Sequence, residues 1–305
     1  MNGSLSFNGG GTLHYGLANV TTAGGGVNDL IAVSGQLTIA GPTALNVSLI
    51  NGTTAPGGNY TIFTYGSFSG SIANLTAPSG YTVVNTGSSI QLQITHIPES
   101  LTWQGDGSAN VWDTGTTPNW TNSAGKSVDF FTGDSATFSS TGSDNPYINI
   151  NAGVSPGSVT VSSSGYDFAG SGAITTGNLS LTSGTLILEN NNTYNGPTVI
   201  GSGAVLQVGG PTEGGASGSL GAGPVTNNGA LVFDLTVSST QGTNIYGTGN
   251  ITNISTAGTV TLSGNIIGGG NVNMAAPGAA MVLSGSNSYS GQTRMAVSLG
   301  PMSSC

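Results

Sequence analysis

The chain has 305 residues, of which 53 are Gly and only 4 % are charged, and its net charge is -9. Solvated helix faces are normally built from Glu, Lys and Arg, so this composition excludes an ordinary helical or α/β enzyme. Two basic residues cannot form the positively charged patch that binds a nucleic-acid backbone, so nucleic-acid binding is also excluded. Hydrophobic residues make up 36 % of the chain, which suffices for a buried core.

The first part of the chain alternates apolar and polar residues with a period of two, which is typical of β-strands. The runs cover residues 29–35, 36–39, 44–50, 60–65, 81–84 and 90–95. Pro98 interrupts the pattern, because proline cannot donate a hydrogen bond to a strand ladder. We therefore predict a β-strand repeat region over residues 1–98 that closes one structural unit.

Residues 99–145 form a block of different composition, which holds all three tryptophans, Trp103, Trp112 and Trp120. An exposed aromatic ring can stack on a sugar ring, so these three residues are candidates for ligand binding. The alternative is that they cap the end of a core. We predict that this block is a boundary module, a small Trp-containing β module.

Short strands return over residues 146–293, and this region contains an internal repeat. The runs cover residues 147–150, 158–161, 178–181, 185–188, 199–200, 205–208, 230–233 and 259–262. Residues 186–198 align with residues 281–293, and each copy has a strand, a polar turn, a Tyr and a Gly. Strands this short cannot bury a face alone and must stack on their neighbours.

Regular short strands fit either a β-sandwich or a β-helix. More than half of all residues are Gly, Asn, Ser or Thr, and stacked coils place like residues above one another. Uncharged Asn and Thr tolerate that stacking, whereas charges would repel. The sequence therefore predicts an all-β, elongated right-handed parallel β-helix (β-solenoid), with the Trp-containing module as an interruption.

The last segment, residues 294–305, differs in composition from the preceding repeats. It holds Arg294, two of the five Met and the only Cys, Cys305. We interpret it as a truncation or junction after Thr293, with an ordinary C-terminus as the alternative.

The chain also lacks the basic and apolar segments of a signal peptide, and no run reaches the ~18 apolar residues of a membrane helix.

Residues 179–209 resemble the repeat of autotransporter-associated β-strand repeat proteins, with a Gly-x-Leu strand, an Asn-x-Tyr-x-Gly-x-Thr turn and another Gly-x-Leu strand. Residues 101–138 are similar to the segment that opens a new unit in such proteins, and residues 28–35 with 60–65 to the segment that closes one. The resemblance implies a fragment of an exported, passenger-type surface protein, extracellular in its parent. Its expected role is structural or adhesive, with glycans or cell surfaces as partners, no nucleic acid and no membrane-spanning segment.

A hydrolase on the same scaffold is the alternative function. Ser155 lies in Gly-Val-Ser-Pro-Gly, which matches the nucleophile elbow of α/β-hydrolases. A base for it would have to be His14 or His96, since the chain has no other histidine. The second interpretation is a turn, because Pro156 and then a strand-like run follow Ser155 where an elbow needs a helix.

Paired carboxylates are the other route to hydrolysis, because a glycosidase needs two of them about 5 to 9.5 Å apart. The candidates are Asp106, Asp113, Asp129 and Asp134. Alternatively, these residues bond their own turns. We predict no metal and no cofactor, since the chain has one Cys and lacks the Gly-Gly-x-Gly-x-Asp repeat of Ca²⁺-binding β-rolls.

Overall fold

The computed structural model describes residues 2–50, 58–78, 80–210, 218–276 and 280–295, and these fold almost entirely as β-strands. Two compact units divide the chain, residues 1–97 and residues 98–305. The described residues outside strands include two short 3-10 helices, Ile72–Asn74 and Ser140–Gly142. The all-β class predicted from the sequence is confirmed. Residues 296–305 of the atypical tail lie outside the described residues, and its interpretation stays a prediction.

The strands of the first unit are β1 (Leu5–Leu17), β2 (Ile31–Leu49), β3 (Asn59–Gly70), β4 (Leu75–Thr76), β5 (Tyr81–Asn85) and β6 (Ser89–Ile94). β1, β2 and β3 are parallel neighbours, with Leu5 opposite Leu37. β6 then runs antiparallel to both β3 and β5. These antiparallel pairs depart from the predicted all-parallel arrangement. For β5 and β6 the reason is the link of residues 86–88, which is too short for a parallel crossover.

The three runs predicted separately at residues 29–35, 36–39 and 44–50 form one long strand, β2. Its pairing with β3 shifts register between Val33 and Gln36. At Gly41 the strand passes so close to β1 that an added Cβ would lie 2.3 Å from the carbonyl oxygen of Asn8. Glycine here permits close strand contact within the sheet.

The strands of the second unit are β7 (Ser100–Trp103), β8 (Trp120–Thr121), β9 (Ser127–Val128), β10 (Ser135–Phe138), β11 (Tyr147–Asn149), β12 (Ser158–Val161), β13 (Tyr166–Ala169), β14 (Leu179–Leu181), β15 (Thr185–Leu188), β16 (Thr198–Ile200), β17 (Val205–Val208), β18 (Val225–Asn227), β19 (Ala230–Phe233), β20 (Ser239–Gln241), β21 (Ile245–Gly247), β22 (Asn250–Asn253), β23 (Thr259–Leu262), β24 (Ile266–Gly268), β25 (Val272–Met274), β26 (Ala280–Leu283) and β27 (Thr293–Met295).

These strands form a parallel β-helix whose coils contribute to three sheets. Sheet 1 has the order β24-β21-β18-β16-β14-β12-β10-β7-β8-β9, sheet 2 the order β11-β13-β15-β17-β19-β22-β25-β27, and sheet 3 the order β20-β23-β26. Val159 pairs with Leu179, so one coil takes 20 residues at that point. Only the β7-β8 and β8-β9 pairs at the start of sheet 1 are antiparallel among the described strands of this unit. The predicted parallel β-helix is confirmed, while its right-handed sense stays a prediction from the handedness of parallel crossovers.

Side chains alternate between the inside and the outside of the coils along each strand, and those that point inward fill the core. In β15, Leu186 and Leu188 are buried while Ile187 is half-buried. Buried apolar residues of this kind form one cluster that continues from Leu101 to Val272. Since each strand is only three or four residues long, the core is stable only as a stack of coils.

Asparagine side chains join consecutive coils at the corners. Asn244 Oδ1 accepts the backbone N–H of Asn265 at 2.8 Å, and Asn265 Oδ1 accepts that of Ser286 at 2.8 Å. Asn250 and Asn271 repeat the arrangement at another corner. Through these ladders the side-chain amide oxygens accept backbone N–H groups of the next coil where the chain turns.

The two repeat copies have the same hydrogen bond in different surroundings. Tyr194 Oη lies 2.8 Å from Thr198 Oγ1, and Tyr289 Oη lies 2.6 Å from Thr293 Oγ1. Tyr194 and Thr198 are each only 1 % exposed, and the backbone of Gly221 lies against the Tyr194 ring. Tyr289 is half-buried and Thr293 is exposed. The first copy therefore has a coil packed on it that the second copy lacks among the described residues.

Replacing these tyrosines provides a matched test of coil packing. Tyr194→Phe should lower the free energy of unfolding by about 1 to 2 kcal/mol, because it leaves the buried Thr198 hydroxyl without its partner. Tyr289→Phe should cost less than about 0.5 kcal/mol, because water replaces the lost hydroxyl. Urea unfolding of both variants measures the difference, and equal losses would contradict the packing described above.

Two buried phenols in the second unit also predict alkaline instability. Burial raises the pKa of Tyr166 to about 12, and burial raises the pKa of Tyr194 as well. An unfolded tyrosine ionises near pH 10, so the stabilisation is complete below about pH 10 and is lost as the pH rises through the folded values. Unfolding free energies between about pH 9 and pH 12 should fall steeply for the wild type and less steeply for Tyr166→Phe/Tyr194→Phe. Identical slopes would contradict this assignment.

Candidate functional site

The three tryptophans lie inside the second unit and belong to its core cluster. Trp103, Trp112 and Trp120 are each 0 % exposed. Their ring centroids lie 5.8, 5.4 and 5.3 Å from that of Phe138. Sugar stacking needs an exposed ring face, which the buried rings do not offer here, so ligand binding by these residues stays a prediction without support from their burial. Their physical role is to fill the first coils with large apolar side chains.

Asp106 is exposed and bonds the turn that contains it. Its Oδ1 accepts the backbone N–H groups of Ser108 at 2.8 Å and Asn110 at 2.9 Å. Asn110 Oδ1 in turn accepts the N–H of Asp106 at 3.1 Å. The N–H groups of Asn110 and Ser108 hold the pKa of Asp106 below its ordinary value, so the carboxylate stays ionised. A general acid would need the opposite shift.

Asp113 and Asp134 also accept hydrogen bonds from nearby backbone. Asp113 Oδ1 accepts the N–H of Thr117 at 3.0 Å, and its Oδ2 accepts the Thr117 hydroxyl at 2.6 Å. Asp134 is 0 % exposed. Its Oδ1 accepts the N–H of Glu99 at 2.7 Å, and its Oδ2 accepts the N–H of Phe131 at 2.8 Å. Both oxygens of each carboxylate are therefore engaged in hydrogen bonds.

Asp129 is half-buried beside the buried Phe130. No group of three or more His, Cys, Asp or Glu side chains among the described residues is arranged to hold a metal ion. Asp106, Asp113 and Asp134 thus each bond a different part of the backbone, and a catalytic pair among the four carboxylates stays a prediction.

Ser155 lies in a turn between two strand elements. Val154 forms a parallel bridge with Ile174, and β12 begins at Ser158, so no helix follows the serine. Thr175 Oγ1 donates to the carbonyl of Val154 at 3.0 Å and lies 2.7 Å from Ser155 Oγ. The serine hydroxyl therefore donates to Thr175. Both histidines belong to residues 1–97, whereas Ser155 belongs to the other unit.

The structure also contains a groove that the sequence does not predict. It has a volume of about 480 Å³ and crosses three consecutive coils of the second unit. It lies on the face that carries sheet 3, which we call the third face. Its lining residues are uncharged, and they are Asn192, Thr193, Ser219, Leu220, Gly221, Ala222, Thr240, Gln241, Gly242 and Thr243. Residues about 20 to 30 positions apart meet only when coils stack, so a local motif search cannot find them.

Comparison with known families gives two matches, and both fall on the repeat copies. A family model described as the passenger-associated-transport-repeat matches residues 183–208 and 279–294. The first match spans β15 to β17, and the second spans β26 and the start of β27. Comparisons with curated proteins and with solved structures give no significant match.

No helix in the described part of the chain is long and apolar enough to cross a membrane.

The family model confirms the resemblance to autotransporter-associated repeats that the repeat motif indicated. The chain carries the passenger-associated-transport-repeat, which indicates the passenger domain of an exported autotransporter surface protein.

Proposed function

We propose that this chain is a structural and adhesive segment of an exported bacterial surface protein. Its stacked coils extend a stalk and present polar faces and loops to other surfaces or to glycans. The observation that carries the proposal is the single core that continues through the coils from Leu101 to Val272. A scaffold of this kind holds surface groups at fixed spacings.

The outer face of sheet 1 supports the adhesive part of the proposal. Thr102, Thr137, Thr160 and Ser180 are register partners on successive strands, and all four are half-buried. Strands in a sheet lie about 4.8 Å apart, so these hydroxyls form a regular column. Many weak hydrogen bonds along such a column can act together in adhesion, in the way that linked binding sites do.

The charge of the chain limits which surfaces suit it. Eleven acidic residues face two basic ones, so anionic surfaces repel the protein while it stays soluble. Contacts must then depend on uncharged hydroxyl and amide groups. Three of the four carboxylates proposed for catalysis, Asp106, Asp113 and Asp134, accept backbone hydrogen bonds in turns, which agrees with a structural role.

Adhesion that depends on uncharged groups should tolerate salt. Beads coated with the full chain should bind polysaccharide-coated surfaces equally, within about twofold, at about 50 mM and 500 mM NaCl, because salt screens only charged contacts. Beads coated with a basic protein serve as the salt-sensitive control. Binding that salt abolishes would contradict the proposal, and so would the absence of binding to any tested surface.

Asp134 distinguishes a structural carboxylate from a catalytic one. Asp134→Ala should lower the free energy of unfolding by about 2 to 4 kcal/mol, because two backbone N–H groups lose their acceptor. The exposed Asp144 is the control, and Asp144→Ala should change stability by less than about 0.5 kcal/mol. Urea unfolding and turnover on polysaccharide and ester panels are measured together. Unchanged stability with lost turnover would support a hydrolase instead.

A further inference from the structure

The third face of the second unit has a break in its backbone ladder. On one side of the break Asn191 forms a parallel bridge with Ser219. On the other side β20 pairs with β23, which pairs with β26. Among the described strands and bridges, none joins residues 219–222 to β20. The groove lies at this break.

Side chains hold the two sides of the break in fixed positions. The backbone N–H of Leu220 donates to Gln241 Oε1 at 3.3 Å, and Gln241 Nε2 donates to Ser239 Oγ at 2.9 Å. The Thr243 hydroxyl donates to the carbonyl of Gly223 where the coils rejoin. Gln241 and Thr243 are only 3 % and 8 % exposed. The groove is therefore preformed, which lowers the entropy cost of binding a ligand.

The groove has a floor of fixed amides and an accessible rim of hydroxyls. Asn192 is 5 % exposed, and its Nδ2 donates to the carbonyls of Asn190 and Ser219. Thr193 and Thr240 are exposed. Hydroxyl groups donate and accept hydrogen bonds, as the hydroxyl groups of a sugar do. The volume of about 480 Å³ is in the usual range for small-ligand sites.

The chemistry of the lining selects among polymers. None of the lining residues is charged, so nothing in the groove compensates the charge of an anionic ligand. An inserted peptide strand would need a row of free backbone groups, but the N–H of Leu220 is already bonded to Gln241. A neutral saccharide needs scattered hydroxyl and amide partners, which the groove provides.

We propose that this groove binds a neutral oligosaccharide, with Thr193 and Thr240 as hydrogen-bonding residues on opposite sides of the break. The inference rests on the proposed adhesive function and names one class of ligand and one place for it. A saccharide that crosses three coils would also join the two sides that the backbone ladder leaves unpaired.

Gly242 allows the groove to be filled without strain. An added Cβ at Gly242 would meet only Ser263 Oγ, at 3.7 Å. Gly269 offers the same freedom outside the groove, since its nearest contact would be Thr248 Cγ2 at 3.6 Å. Both glycines are exposed. Gly242→Phe and Gly269→Phe are therefore a matched pair, and equal thermal unfolding temperatures would show that both fold.

The experiment is isothermal titration of the full chain with cellohexaose, xylohexaose, maltohexaose and the anionic hexagalacturonate. We expect at least one neutral hexasaccharide to bind and the anionic one not to bind. Gly242→Phe should weaken binding about tenfold or more, Thr193→Val/Thr240→Val about fivefold or more, and Gly269→Phe less than about twofold. Thr248→Val, at an exposed threonine outside the groove, should also change binding by less than about twofold.

The inference is overturned if no neutral saccharide binds, if Gly242→Phe binds as the wild type does, or if hexagalacturonate binds best. Bead adhesion distinguishes it from the proposed function. Beads of the wild type and of Gly242→Phe that adhere equally, while neither protein binds a soluble hexasaccharide, would overturn the groove and leave the adhesive role intact. Soluble hexasaccharide binding that Gly242→Phe abolishes, without any bead adhesion, would support the groove and contradict the adhesive role.

Discussion

The parallel backbone ladder between coils is the constraint on which the second unit depends. Register partners such as Val159 and Leu179 lie on neighbouring strands, so each residue sits directly above its equivalent in the previous coil. At a strand spacing of about 4.8 Å, stacked charges would repel strongly. Uncharged Thr, Ser and Asn avoid that repulsion and bond one another. The low charge of the chain is thus a consequence of stacking.

The same ladder explains where large and small residues occur. Alternation directs every second side chain of a strand into the coil, where Leu186 and Leu188 pack above and below their equivalents. The three tryptophans fill the first coils, where hairpin strands β8 and β9 replace a preceding coil. Glycines lie where backbone meets a ring, as Gly221 does on Tyr194. The size of the side chain at each position therefore depends on where that position lies in the stacked coils.

Function on such a scaffold depends on where the ladder continues and where it stops. Continuous pairing gives the hydroxyl column of sheet 1, and the break before β20 gives the groove on the third face. Asp106, Asp113 and Asp134 lie in turns, where their carboxylates accept backbone N–H groups that have no partner in a ladder. The turns use these acidic groups for local hydrogen bonding, and the outer face of sheet 1 presents uncharged hydroxyl groups.

The sequence by itself determined the all-β class, the short strands from residue 147 onward, the two repeat copies and their likeness to the passenger-associated-transport-repeat, because alternation and repeat motifs are local patterns. It misjudged β2, since it cannot show that Gly41 lies against β1, and it left open whether the tryptophans face solvent. Only the tertiary structure decided their burial, the hydrogen-bond partners of Asp134 and Ser155, and the groove. Each depends on residues brought together by coil stacking, and the register between coils is set by packing over the whole stack.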